Sequence, residues 1–154
     1  MPETNVRMWL EQLGPSAADL AVEAAERFES HGKLEAAATS FRGALDHDPG
    51  HAGAKGGLAR VELALRGSSI DLAAAERVWN EDKTDTSRAI ALADGLAVKG
   101  DMGRAFDVLI ETIRLTNGAA RERARVHLLS LLDTLAPEDP SALSARRALS
   151  AALF

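Results

Sequence analysis

The chain has 154 residues, of which 46% are hydrophobic and 27% charged, with a formal net charge of −5. That length suits one ordinary domain with a real core, and the composition is neither that of a disordered chain nor that of a membrane-embedded one. Cysteine is absent, which removes disulfides, thiolate nucleophiles and thiolate metal sites from its chemistry.

Alanine is abundant, aromatics make up only 4% and β-branched runs are missing, so helix is expected throughout. The opening segment, MPETNVRMWLEQL, lacks the basic flank and apolar stretch of a signal peptide. No apolar run approaches the ~20 residues that span a bilayer. A cytoplasmic location with no membrane partner is the expectation.

In chain order, a first helix is expected over residues 3–13, ended by Gly14-Pro15. Ser16 with Asp19 makes a capping-box-like start for the next. Gly32, Pro49-Gly50, Gly67, Gly100, Asn117-Gly118 and the segment from Pro137 to Pro140 mark further boundaries. Asp139-Pro140 offers an N-cap with proline at the first helical position. The stretches between are roughly 12–17 residues long, which suits packed helices on short loops. Eight helices follow the first, and the fold class is all-α.

The glycine spacing adds order. Gly32 and Gly100 lie 68 residues apart, twice 34, with Gly67 almost midway. A 34-residue period of helix, turn and helix is the signature of tetratricopeptide repeats. Repeats written as 18–51, 52–85 and 86–119 can be tested for small residues at positions 8, 20 and 27, large apolar ones at 11 and 24, and proline at 32. The first gives Ala25, Phe28, Ala37, Phe41, Ala44 and Pro49, a complete match. The third gives Ala93, Leu96, Ala105 and Leu109, with Thr112 and Asn117 in the last two places. The second keeps Leu58 and Ala59 but puts Glu62 at a large apolar position, and its Gly67 falls one place late. The reading is a right-handed superhelix of about four antiparallel helix pairs plus one N-terminal helix. Phe28 and Phe41 are expected to fill the gap between hairpins, and Trp9 and Trp79 to be packing anchors.

Two segments carry a family resemblance: the start, PETNVRMWLEQLGPS, and Lys99 to Phe154, with its turn Leu135-Ala136-Pro137-Glu138-Asp139-Pro140 and its Leu153-Phe154 end. Together they resemble the C-terminal half of the thioredoxin-like co-chaperones known as YbbN or CnoX (chaperedoxins). The resemblance implies residues 1–14 as the remnant of a thioredoxin-domain helix and its linker. Three helix hairpins follow over 15–117, the second degenerate, and then a capping helix pair over 118–154. The implied partners are unfolded client proteins, a chaperonin or Hsp70-type chaperone, and an adjacent thioredoxin domain. No redox role transfers, because the family's thioredoxin domain, with any active-site cysteine, is not in this sequence. Without the resemblance, the same repeats describe a free-standing scaffold that assembles some other complex.

Catalytic chemistry is not visible. His47 and His51 are four apart, but Pro49-Gly50 breaks the helix face that a metal pair would need. Gly53, Gly56 and Gly57 follow no strand and make no phosphate loop. No enzyme activity, cofactor or metal is expected. Basic and acidic residues number 4 and 9 in 1–51, 9 and 10 in 52–117, and 5 and 4 in 118–154, so no basic stripe marks a nucleic-acid binder.

Repeat scaffolds bind along their concave face, for which the register nominates Glu23, Glu26, Gly57, Arg60, Leu63, Ile90, Asp94 and Val98. Gly57 would either help form a shallow floor for an apolar segment or simply allow tight superhelical curvature. Val22, Glu26, Gly57, Ser87 and Ala91 stand where lysines and asparagines would grip an acidic chaperone tail, so recognition of that kind is not expected there. Arg121, Glu122, Arg123 and Arg125 form a charged run in which Arg121 and Arg125 share a helix face that could clamp a partner carboxylate, although a solvated face with local ion pairs is the simpler reading. On the last helix, Ala142, Ala145, Leu149, Ala152 and Leu153 should pack against the helix from Ala119 to Leu135. Leu143, Arg146, Arg147, Ser150 and Phe154 form a second stripe, nominated for chaperone docking.

Overall fold

The computed structural model describes residues 6, 8, 9 and 13–154. Most of the expected first helix lies outside them. Eight helices run through the described residues: α1 (Ala17–Ser30), α2 (Leu34–His47), α3 (Ala52–Gly67), α4 (Leu72–Glu81), α5 (Thr86–Val98), α6 (Met102–Leu115), α7 (Gly118–Leu132) and α8 (Pro140–Leu153). The chain is all-α and tetratricopeptide-like, as its period predicts. It divides into two compact units, Met1–Leu58 and Ala59–Phe154.

In the first unit, α1 opens with a full capping box: the Ser16 hydroxyl accepts from the Asp19 backbone N–H at 3.1 Å, and the Asp19 carboxylate accepts from the Ser16 N–H at 2.9 Å. The α1–α2 turn needs a left-handed residue, supplied by Gly32 at φ 71°. There the Lys33 N–H reaches back to the Phe28 carbonyl at 2.9 Å. Gly100, at φ 89°, repeats the device, with the Asp101 N–H on the Leu96 carbonyl at 3.0 Å. Two αL glycines one double period apart close two equivalent hairpins.

Ala25, Ala37, Ala38 and Ala44 are buried, and their small side chains let α1 and α2 approach closely. Phe41 is buried as expected, whereas Phe28 remains 36% exposed. Phe28 lies in the last turn of α1, two residues before its end at Ser30.

In the second unit, α4 packs on α5, α5 on α6 and α7, and α6 on α7 and α8. Leu92, Phe106, Leu109, Ile113, Leu128 and Leu131 form the buried centre. Each such side chain contributes about 1.5–3 kcal/mol of burial. Trp79 is the expected anchor. Its indole N–H donates to the Thr112 hydroxyl at 3.3 Å, which in turn donates to the Lys83 carbonyl at 3.0 Å. Lys83 Nζ then lies 4.7 Å from the indole centroid, a cation–π contact. Thr112 takes a small-residue position because its hydroxyl satisfies Trp79. Trp9, by contrast, is 61% exposed and is no packing anchor within this chain.

The degenerate second repeat has a simple shape. Its first helix, α3, runs to 16 residues and its second, α4, only to 10. Val61 and Leu63, flanking Glu62, are buried. Gly67 ends α3 rather than opening a loop. A Cβ there would stand 2.6 Å from the Asp94 carbonyl oxygen, so α3 approaches α5 at a point where a side chain does not fit.

The last helix departs from expectation. Ala142, Ala145 and Leu149 are buried, but α8 packs most closely on α6, not on α7. Residues 133–139 separate α7 from α8, enough chain to carry α8 across. Ala145 and Ala148 then line a cleft of about 330 Å³ with Phe106 and Ile110 of α6. Asp139 caps α8 through the N–H groups of Ser141 and Ala142, with Pro140 at its first position.

Candidate partner-binding groove

On the second unit, α5 and α7 flank a groove of about 310 Å³ lined by Arg66, Ile90, Arg123, Val126, His127 and Ser130. Beneath it lies Asp94, whose side chain is only 3% exposed. Its Oδ2 accepts from Arg66 Nε at 2.8 Å and its Oδ1 from His127 Nε2 at 2.8 Å. A carboxylate only accepts, so the His127 proton at this contact sits on Nε2. Burial pushes the Asp94 carboxyl up, but the hydrogen bonds from His127 and Arg66 outweigh it and hold it below the ordinary aspartate value. Both carboxylate oxygens are occupied and the charge is locally compensated.

The charged run on α7 sorts itself. Arg121 Nε donates to the carbonyls of Ile113 and Thr116, at 3.1 and 2.7 Å, at the end of α6. Arg125 pairs with Glu122 at 2.8 and 2.6 Å. That pairing lowers the Glu122 carboxyl and raises the Arg125 guanidinium. Arg121 is thus turned back onto backbone carbonyls and Arg125 onto a neighbour of its own helix, in keeping with a solvated face. Arg123 lines the groove instead, donating to the Ser87 hydroxyl at 3.0 Å.

The nominated concave residues fall into separate places. Ile90 lines the groove. Asp94 is buried below it, because its partners Arg66 and His127 lie over it. Leu63 belongs to the core, since helix α3 turns its Val61 and Leu63 inward. Arg60 and Val98 are exposed. Gly57 is no open floor: a Cβ there would stand 2.3 Å from Cζ of Phe41, so the ring of α2 covers it. In the first unit, Glu23 and Glu26 are exposed on α1 and border an open depression with Arg27 and Ser30.

On α8, Leu143, Arg146, Arg147, Ser150 and Phe154 are all exposed. Leu143 is 42% exposed, Phe154 fully so, and Arg146 donates to the Pro137 carbonyl at 3.1 Å. His51 has a structural task. Its Nδ1 accepts from the Ala54 N–H at 3.1 Å, capping α3, while Nε2 lies 3.1 Å from Asp19 Oδ1. With Nδ1 accepting, the proton sits on Nε2 and donates to Asp19. Among the described residues, no three His, Asp or Glu side chains converge as a metal site. No helix there is long and apolar enough to cross a membrane.

Arg66, Val126, His127 and Ser130 are groove residues that sequence reasoning missed, and Arg123 was named only as part of the charged run on α7. A signal for them existed: Asp94 and His127 are 33 residues apart, and Ser87 and Arg123 are 36 apart. Those separations are close to one repeat, and residues one period apart face each other across successive helices.

Helix hairpins with a groove between their first helices, and compensated rather than reactive charges, define a protein–protein interaction module, a typically non-catalytic architecture. The chain belongs to the tetratricopeptide repeat family, whose model matches residues 65–154. It is 32% identical over 136 residues to an uncharacterized protein of Mycobacterium bovis, and equally to uncharacterized proteins of two Mycobacterium tuberculosis strains. The match covers 88% of this chain but 44% of each relative, so the chain spans under half their length.

Proposed function

We propose that the chain is the interaction module of a thioredoxin-like co-chaperone of the YbbN/CnoX kind, holding unfolded clients and docking on a chaperonin or Hsp70-type chaperone. The observation that carries this reading is the exposed stripe of α8. Leu143 and Phe154 are exposed about 16 Å apart along the α8 axis, with Arg146 and Arg147 between them, on a helix whose opposite side is already committed to the core. A stripe with an exposed apolar side chain at each end and arginines between them suits a protein surface better than solvent.

Two further observations support it. The mycobacterial relatives are more than twice the matched length, which leaves room in them for a thioredoxin domain. Val6, Met8, Trp9 and Leu13 are all exposed, as residues would be that face such a neighbour in the full protein. Residues 1–14 are then the remnant helix and linker of that domain, 15–117 the three hairpins and 118–154 the cap.

The test is light scattering of a chemically unfolded protein diluted into buffer with and without this chain. Suppressed aggregation at near-stoichiometric chain is the expected result. Aggregation at the rate seen with an inert protein of equal size removes the client-holding role.

A further inference from the structure

The junction between α6 and α7 holds a residue pair that the repeat fold leaves idle. Asn117 stands just before α7, and Gly118 is its first residue. Ser16, Asp71, Asp85, Asp101 and Asp139 occupy the same position before their helices, and each accepts a helix N–H with its side chain. Asn117 makes no such bond, although asparagine caps as well as aspartate. Its side chain is exposed, as are Gly118, Ala119 and Ala120 after it. The Gly118 N–H is one of the first-turn donors that a helix leaves without an internal partner. Gly118 adopts φ 54°, with open space where a Cβ would point, so no side chain of its own shields its nitrogen from the Asn117 amide.

We propose that Asn117 is a site of spontaneous deamidation, through a cyclic imide closed by the backbone nitrogen of Gly118. That nitrogen gives its proton to solvent hydroxide and attacks Asn117 Cγ; the new C–N bond forms, the Cγ–Nδ2 bond breaks and ammonia leaves. The chain turns about the Asn117 ψ of 176° to bring the two atoms together, a local movement at an exposed junction. Water then opens the imide. Addition at Cγ releases the Gly118 nitrogen from the side chain and leaves aspartate. Addition at the backbone carbonyl breaks the original peptide bond and leaves isoaspartate, with the chain running through Cβ and Cγ. Either product puts a negative charge at the positive end of the α7 dipole, four residues before Arg121. Only isoaspartate lengthens the backbone, and it does so between the third hairpin and the last helix pair. Asn5 and Asn80, the other asparagines, precede Val6 and Glu81, whose side chains crowd the attacking nitrogen, and Asn80-Glu81 lies within α4.

Peptide mapping is the test. The whole folded chain is held in warm, mildly alkaline buffer beside the same chain unfolded in urea, sampled over time and digested with trypsin. Cleavage after Arg114 and Arg121 releases residues 115–121, in which conversion reads as a gain of about 1 Da and as two products of different retention, aspartate and isoaspartate. The folded chain should convert within about tenfold of the unfolded rate, because opening an exposed junction costs little, and Asn80 should stay unchanged in it. Asn117→Gln, whose longer side chain cannot close the five-membered ring, should stay unconverted over the same period, with unchanged helical circular dichroism establishing that it folds. Conversion in the folded chain slower than that tenfold limit, Asn80 converting as fast as Asn117, or aspartate formed without isoaspartate each overturns the inference. Client holding and chaperone docking are read by other assays, so either can fail while this site stands.

Discussion

Gly57 lies under the ring of Phe41, so close that a Cβ at position 57 would stand 2.3 Å from Cζ and 2.4 Å from Cε1. The ring is buried and cannot swing into solvent, so the first unit depends on the absence of a side chain here.

Gly57→Ala should therefore destabilise the chain, although alanine is the better helix former by ~1 kcal/mol. Overpacking of about 1–3 kcal/mol opposes that gain, and Gly57→Leu should be worse. Adding Phe41→Leu to Gly57→Ala should recover part of the loss, a non-additivity readable by urea unfolding of the four proteins. Additive effects would mean that the two residues do not touch.

Asp94→Ala leaves Arg66 and His127 without their shared acceptor. Breaking a fully buried pair costs ~3–5 kcal/mol; Arg66 is 41% exposed and can rehydrate, so a loss of about 2–3 kcal/mol is expected. Urea denaturation checks it, and Asp94→Asn should lose less because one acceptor oxygen remains.

The Trp79–Thr112–Lys83 chain predicts that Thr112→Val costs about 1–3 kcal/mol by leaving the indole N–H and a carbonyl unmatched. Thr112→Ser, which keeps the hydroxyl, should lie much nearer the parent. Thermal unfolding followed by tryptophan fluorescence distinguishes them, since Trp79 is buried and Trp9 exposed.

His51→Ala should cost about 1 kcal/mol through loss of the α3 cap, measured by the same denaturant titration. The Asp19 carboxyl, on the other side of His51, is held at about 2 by the Ser16 hydroxyl first, then by His51 and the Ser16 N–H. A folded value below the unfolded one of ~3.9 makes its contribution complete above pH ~4 and lost as pH falls towards 2. Asp94, also held low, acts in the same direction. Stability should fall on acidification below pH ~4, and less steeply in Asp19→Asn than in the parent.

The hairpin boundaries were legible because they rest on local chemistry: the Ser16–Asp19 box, the αL glycines 32 and 100, and Asp139-Pro140. What joins one repeat to the next was less so. Asp19–His51, Trp79–Thr112 and Asp94–His127 are 32, 33 and 33 residues apart, and each is an ordinary polar residue until its neighbour one period away is considered. Gly57 was misplaced because glycine marks equally a groove floor and the footprint of a ring. The partner of α8 was misplaced because helical phase fixes which side is buried but not which helix covers it.

The outer stripe of α8 is the proposed chaperone-docking surface. Deleting Ser150 to Phe154 would also remove Leu153, which packs on the core, so the cleaner variant is Leu143→Ser with Phe154→Ser. The direct measurement is biolayer interferometry of purified chaperonin on the immobilised chain, parent against double variant. Clear binding by the parent and at least a tenfold loss in the variant at unchanged helicity are expected; equal binding by the two, or no binding by the parent, would rule out the docking role of this stripe.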